Sequence, residues 1–200
     1  MKLLKRTLII LLCLILSLGV IGCGKVEEPV EVNFTVTHTA EISVKHYGKI
    51  TVALAGEVAP ITVDNFVSLA ESGFYDGLTF HRIIKDFVVQ GGDPEGTGFG
   101  GSGKAIKGEF AANGVSNKIS HKRGVISMAR SDDYNSATSQ FFIMHQERSH
   151  LNGGYAAFGM VISGMDVVDK ICEEAEPIDS NGTIPAAAQP VIEYIKITKK

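Results

Sequence analysis

The sequence has no tryptophan, only three cysteines and no excess of either charge among its 200 residues. Nineteen Lys and Arg stand against 22 Asp and Glu, a net charge of −3. This balance makes a basic nucleic-acid-binding protein and an acidic disordered tail equally unexpected. The length is sufficient for one domain with a buried core, and 22 glycines favour a turn-rich β protein over a helical bundle.

Neither cysteine nor histidine shows the spacing of a metal site. Cys13 and Cys23 lie near the N-terminus, so Cys172 is the one cysteine left in the rest of the chain, where we expect it to be buried on a helix. No two of the six histidines form an H-x-H or H-x-x-x-H pair. Ser127 and Ser139 lack the G-x-S-x-G setting of a hydrolase nucleophile. We therefore expect no metal and no other cofactor.

The N-terminal apolar run is too short for an ordinary transmembrane helix, which needs about 20 residues. Leu8–Val20 spans 13 residues after the basic residues Lys2, Lys5 and Arg6, which is typical of a signal peptide. The following residues 20–23, VIGC, resemble a bacterial lipobox, which implies cleavage before Cys23 and lipid attachment to its thiol. A secretory signal without lipid and an uncleaved anchor are the alternatives.

The chain is predicted to have three parts: a lipoprotein signal peptide at 1–22, a lipidated Cys23 with a tether to residue 40, and a globular domain at 41–200. Removing residues 1–22 takes away three positive charges, which leaves a net charge of −6. Because an anionic lipid surface repels such a protein, its attachment would depend on the lipid. We expect an extracytoplasmic protein that is lipid-anchored to the bacterial cell membrane.

The hydrophobic pattern of the remaining chain predicts short strands and two helices. A hairpin is expected within 41–55, helices at 59–70 and 165–174, and further strands at 79–84, 87–90, 124–129, 140–144, 156–161 and 191–198. Strands and helices do not alternate along the chain as they do in βαβ units. This order of elements favours a mainly β antiparallel barrel or sandwich capped by the helices.

The glycine-rich segment 91–108 contains two patterns that suggest nucleotide binding. Residues 96–101 match G-x-G-x-x-G, but no helical pattern follows them. Residues 98–105 nearly match a P-loop, but Ala105 replaces the hydroxyl that must bind magnesium. We therefore predict a flexible surface loop and no nucleotide site.

Five motifs are the most specific feature of the chain: FHRII at 80–84, FVVQGGD at 87–93, GVISMAR at 124–130, SQFFI at 139–143 and LNGGYAAFG at 151–159. In this order and spacing they resemble a cyclophilin-type peptidyl-prolyl cis–trans isomerase, from about residue 43 to the C-terminus. The resemblance implies a closed eight-stranded antiparallel barrel capped by two α-helices. It also implies acceleration of X–Pro rotation, a reaction that breaks no bond and needs no nucleophile or metal.

The resemblance assigns a catalytic role to Arg82 and Gln90. Arg82 would direct its guanidinium to the prolyl carbonyl and to the nitrogen lone pair that appears when amide resonance is lost. The substrate-binding residues implied are Phe87, Val88, Ala129, Arg130, Gln140, Phe142, His150, Leu151 and Tyr155. Because side chains alternate along a strand, we expect one of Phe141 and Phe142 to face the pocket and the other the core.

Three positions depart from the family pattern. His150 stands where many eukaryotic members have a tryptophan that contacts cyclosporin, Tyr155 replaces a histidine, and Val88 stands where methionine is frequent. Cyclosporin binding is therefore expected to be weak. The expected partners are proline-containing segments of exported polypeptides, bound by a monomer. The alternative is a proline-peptide binding module or holdase chaperone with little isomerase activity, against which the presence of Arg82 argues.

Overall fold

The computed structural model describes residues 30–200 of the chain. The predicted signal peptide and the predicted lipidation site, Cys23, lie outside the described residues. Within 30–200, none of the helices has both the length and the apolar character required to cross a bilayer.

Eight strands and two helices make up the domain. In chain order they are β1 His38–Val44, β2 Gly48–Leu54, α1 Pro60–Glu71, β3 Arg82–Ile84, β4 Val88–Gly91, β5 Val125–Met128, β6 Phe141–Met144, β7 Ala157–Ser163, α2 Met165–Glu174 and β8 Ile192–Lys199. All strand pairs are antiparallel, in the sheet order β3-β4-β6-β5-β7-β2-β1-β8. The mainly β architecture with two helices agrees with the prediction.

The closure of the barrel that the resemblance implied is not confirmed. The sheet order ends at β3 and β8, so the strands form a curled, open half-barrel. Isolated bridges such as Thr79–Val191 join the segments at this seam. Pro190, whose carbonyl accepts from Phe80 N at 2.9 Å, has no N–H of its own to donate. The chain before β8 therefore cannot extend a regular ladder through this position.

Helix α1 covers the interior of the curled sheet. Pro60 occupies the helix's first turn, where an N–H is not needed, and Val63, Phe66 and Ala70 are buried at helical spacing. Gly73, at φ 72°, allows the reversal that ends the helix. Phe66 is the centre of an aromatic cluster, with its ring centroid 5.2 to 5.5 Å from those of Phe158, Tyr75 and Phe141.

A second, smaller apolar cluster lies on the other face of β4 and β6. Its buried members are Val88, Val125, Phe142, Met144, Leu151 and Ala157. Phe141 belongs to the central core and its neighbour Phe142 to this cluster, which confirms the alternation expected along β6. Cys172 is buried on α2, also as expected. The second cluster forms the floor of the groove in which the site residues meet.

Candidate active site

A groove of about 810 Å³ opens over the second apolar cluster. Ten of the predicted catalytic and substrate-binding residues line it: Arg82, Phe87, Val88, Gln90, Ala129, Arg130, Phe142, His150, Leu151 and Tyr155. They come from β3, β4, β6, the turn between β3 and β4, and the segments that follow β5 and β6. The curled sheet thus brings together residues that are up to 73 positions apart.

Arg82 is held in place by hydrogen bonds on two sides. Its Nη1 donates to Gln90 Oε1 at 3.0 Å across the β3–β4 pair, and its Nε donates to the Asn181 carbonyl at 2.7 Å. Burial lowers the pKa of Arg82, while the negative charge of Asp179 opposes this shift. Since the guanidinium stays protonated at neutral pH, it is a fixed, partly desolvated cation at the rim of the groove.

Gln140 does not line this groove itself but contacts Gln90, which does. Its Oε1 accepts from Gln90 Nε2 at 3.0 Å, and its Nε2 donates to the carbonyls of Gly98 and Gly100 at 3.0 and 2.8 Å. Gln140 lines an adjoining groove of about 640 Å³, which shares Gln90, Ala129 and Arg130 with the first groove. Gln140 therefore orients Gln90, and through it Arg82, and its contact with substrate stays a prediction.

The apolar part of the groove has a closed floor and an aromatic side wall. Val88, Phe142 and Leu151 are buried, at 2%, 5% and 7% exposure. Phe87 is half-buried, and the guanidinium carbons of Arg82 and Arg148 lie 5.8 and 5.9 Å from its ring centroid. This arrangement can accept a small apolar ring on the floor with a polar group directed toward Arg82.

The other wall is formed by Tyr155, and the outer rim by His150. Tyr155 packs edge-on against Phe142, with ring centroids 5.8 Å apart. His150 is exposed and lies 6.2 Å from the ring of Phe87. Below this wall His121 is buried, and it stacks on Phe142 at 6.0 Å. Burial lowers the pKa of His121, although the hydrogen bond that its Nδ1–H donates to Asn152 Oδ1 opposes this shift. The lowered pKa favours a neutral ring beneath the floor.

The glycine-rich segment is a surface loop, as expected, but an anchored one. The buried carboxylate of Asp93 accepts from the backbone N–H groups of Glu95, Thr97 and Gly98 at 2.6 to 3.0 Å. Burial raises the pKa of Asp93, but these N–H donors outweigh it and lower the pKa overall. At Gly100 a Cβ would lie 2.1 Å from Asp93 Oδ1, so only glycine fits this close approach.

Several groove residues were not predicted. Asp179, Asn181 and Thr183, from the segment between α2 and β8, line the groove beside Arg82. Asn181 contacts Arg82 through its backbone carbonyl, and no pattern of side chains in the sequence signals such a contact. His81 also lines the groove, next to Arg82 in the FHRII motif, and burial lowers its pKa. Among residues 30–200, no three or more His, Cys, Asp or Glu side chains are grouped to hold a metal ion.

Comparisons with known proteins agree with this geometry. The family model described as cyclophilin type peptidyl-prolyl cis-trans isomerase/CLD matches residues 39–199. Peptidyl-prolyl cis-trans isomerase B of Bacillus subtilis is 50% identical over 118 residues, which cover 59% of this chain and 79% of that protein. The peptidyl-prolyl cis-trans isomerase of Helicobacter pylori is 48% identical over 136 residues, or 66% of this chain and 80% of the relative.

Solved structures show the same fold. The crystal structure of a Cryptosporidium parvum cyclophilin type peptidyl-prolyl cis-trans isomerase superposes with a TM-score of 0.71 at 30% identity, covering 82% of this chain and 99% of that one. A structure of the same protein in the presence of the dipeptide Ala-Pro gives a TM-score of 0.70 at 31% identity, covering 81% and 99%. On its sequence, its fold and the residues of its groove, the chain belongs to the cyclophilin-type peptidyl-prolyl cis–trans isomerase family.

Proposed function

We propose that this peptidyl-prolyl cis–trans isomerase acts on exported polypeptides outside the cytoplasm and assists their folding there. The isomerase activity follows from the family, from the curated relatives and from the related structures. The observation that supports the assignment of its catalytic centre is the position of Arg82, which Gln90 and Asn181 hold at the rim of an apolar floor.

The reaction rotates the amide bond before a proline. The barrier is about 18–20 kcal/mol, because the twisted amide loses its resonance. In the twisted state the nitrogen regains a lone pair, which a donor can stabilise selectively. Arg82 is placed to donate to this nitrogen or to the prolyl carbonyl, and its partial desolvation strengthens such a hydrogen bond.

The substrate proposed is an extended segment that contains proline. The proline ring would rest on Phe142 and Leu151 beside Phe87, which are the apolar residues nearest to Arg82 in the groove. The backbone of Ala129 and Arg130 borders the groove, where it can pair with the peptide. The related structure obtained in the presence of Ala-Pro supports this class of ligand.

The extracytoplasmic location is proposed from the sequence alone. The signal-like segment 1–22 and the lipobox-like ending at Cys23 support a lipoprotein, in which a tether from Cys23 leads to the isomerase domain that begins with β1 at His38. Proline-containing segments of newly exported proteins would be the clients, since they fold on the same side of the membrane.

Isomerisation of an Ala-Pro peptide by residues 24–200 tests the catalytic part of the proposal. Magnetisation-exchange NMR measures the cis–trans rate at equilibrium, with and without the protein. An exchange rate that rises in proportion to protein concentration supports catalysis. Binding of the peptide without a faster exchange would contradict it and would favour a holdase or binding module.

A further inference from the structure

The side chain of Arg130 is enclosed by three aromatic rings. Its guanidinium carbon lies 4.7 Å from the ring centroid of Tyr155, 4.9 Å from that of Tyr134 and 5.2 Å from that of Phe110. These rings come from three segments that are distant in sequence, and we call this arrangement the Arg130 cage. A guanidinium at such distances is attracted to each ring face.

The N–H groups at the edge of the same guanidinium donate hydrogen bonds to backbone carbonyls. Arg130 Nε donates to the Gly154 carbonyl at 3.0 Å, and Nη1 donates to the carbonyls of Ser131 and Asp132 at 2.7 and 3.3 Å. A planar group with several fixed donors is needed to contact rings and carbonyls at once. A lysine ammonium at this position would lose most of these contacts while keeping the charge.

The cage connects two segments that line the groove, residues 129–130 and residues 154–155. Arg130 follows Ala129, whose N–H is held by the Gln140 carbonyl at 2.9 Å, while Ser131 and Asp132 after it are exposed. Gly154 and Tyr155, in the segment after β6, receive direct contacts from the Arg130 guanidinium. The cage is therefore the link between the Ala129–Arg130 backbone and the wall that Tyr155 forms.

The cage also touches the floor of the proline pocket through one intermediate ring. Tyr155 is packed between the guanidinium of Arg130 and the edge of Phe142, 5.8 Å away. A displacement of Tyr155 would open a gap beside Phe142. The hydrogen bonds of Arg130 go to Gly154, Ser131 and Asp132, and these residues do not belong to the Arg82–Gln90–Gln140 chain.

We propose that Arg130 is a positioning residue, which acts through its side chain to preform the groove for an extended peptide. The cage keeps the Ala129–Arg130 backbone and Tyr155 at a fixed separation, so substrate binding does not have to order them. This role rests on the proposed function, in which the peptide lies along that backbone. It predicts an effect on substrate binding rather than on the rotation step at Arg82.

The substitution Arg130→Lys tests this role with the charge retained. We expect KM for an Ala-Pro peptide to rise about three- to tenfold, the effect of ordering one or two side chains on binding, with kcat changed less than twofold. The aromatic NMR resonances of Tyr155 and Phe142 should shift. Tyr134→Leu, which removes a partly exposed ring of the cage, should raise KM in the same direction by a smaller factor.

Arg123→Lys is the matched control. Arg123 is also a half-buried arginine that donates to a backbone carbonyl, that of His145 at 2.9 Å, and to Asp169 at 2.8 Å, but it does not line the groove. We expect this variant to lose thermal stability without a change in KM. If Arg130→Lys and Tyr134→Leu lose stability to the same degree and keep the wild-type KM, the cage is only structural and the proposal is wrong.

Two further outcomes are informative. A fall in kcat at unchanged KM in both cage variants would also contradict the proposal, because it would place Arg130 in the rotation step. Absence of isomerisation by the wild-type protein would instead overturn the proposed function. In that case a shift of the Phe142 resonance in Arg130→Lys, together with weaker peptide binding, would still support the positioning role.

Discussion

Arg82 is a cation in an environment that favours its use as a hydrogen-bond donor. Its guanidinium is half-buried, contacts the ring of Phe87 and is oriented by Gln90 and by the Asn181 carbonyl. Preorganised donors stabilise a developing charge without reorganising during the reaction. The contribution of this one residue to catalysis can therefore be measured separately from substrate binding, which depends on the apolar floor.

Replacing Arg82 with alanine should lower kcat/KM by roughly one to two decades. A charge-assisted hydrogen bond is worth about 1.5–3 kcal/mol, and each factor of ten corresponds to about 1.4 kcal/mol. Arg82→Lys should recover little activity, because an ammonium cannot present the planar fork. Magnetisation-exchange NMR measures the rate, and circular dichroism checks folding. A folded alanine variant with the wild-type rate would show that Arg82 is not the catalytic group.

At His150 the resemblance predicts a difference in cyclosporin affinity. The imidazole is exposed on the rim beside Phe87, and it lacks the indole N–H and much of the apolar area of tryptophan. We expect weak inhibition of the wild-type protein and stronger inhibition of His150→Trp. Inhibition constants from the same isomerisation assay test this expectation. Equal constants for the two proteins would mean that position 150 does not determine the affinity.

At the scale of the elements, the glycine-rich loop is held by the side chains of Asp93 and Gln140. The Asp93 carboxylate receives three backbone N–H groups, and Gln140 fixes the loop from the other side by donating to Gly98 and Gly100. Loops with few apolar contacts of their own are held by such hydrogen bonds. Disruption at Asp93 should therefore loosen the loop next to Gln140 while leaving the sheet folded.

Asp93→Asn should destabilise the domain by about 1–3 kcal/mol at neutral pH, because a carboxylate that accepts backbone N–H groups is replaced by an amide. The lowered pKa of Asp93 gives the effect a pH dependence. The ionised carboxylate stabilises the fold above the unfolded-state pKa of about 3.9, and this contribution is lost as the pH falls through the folded-state pKa. We expect the difference in free energy of unfolding between the wild type and Asp93→Asn, measured by denaturant unfolding, to be smaller at pH 3 than at pH 7. A constant difference would contradict this account.

The strands and motifs allow much of the site to be predicted, for a physical reason. The motifs around Arg82, Gln90 and Phe142 lie on β3, β4 and β6, which are neighbours in the sheet, so their register places the side chains together. Asn181 acts through its backbone carbonyl, almost a hundred positions away from Arg82, and no residue type signals such a contact. The position of Gln140 depends on carbonyls of the folded loop, which are equally invisible in the sequence.

On the scale of the whole molecule, residues 30–37 already lie against the domain before the first strand begins. Val30 and Phe34 line a groove with Ile119 and Met160, and β1 already begins at His38. The segment 23–40 that the sequence predicts as a tether therefore overlaps the folded domain. Between Cys23 and Val30 an extended chain spans at most about 25 Å. A lipid on Cys23 would keep the isomerase domain close to the membrane surface.

The substitution Cys23→Ser in the full chain tests the anchor. One acyl chain binds a membrane only marginally, so stable attachment requires at least two chains, as the lipobox resemblance suggests. With a net charge of −6 after residue 22, the protein has no electrostatic substitute for the lipid on an anionic membrane. The variant should remain unprocessed or appear in the soluble fraction, without incorporating labelled fatty acid.

Cys13→Ser, inside the apolar run, is the matched control and should be labelled and fractionated as the wild type. Normal labelling and processing of the Cys23→Ser protein would rule out lipidation at this residue.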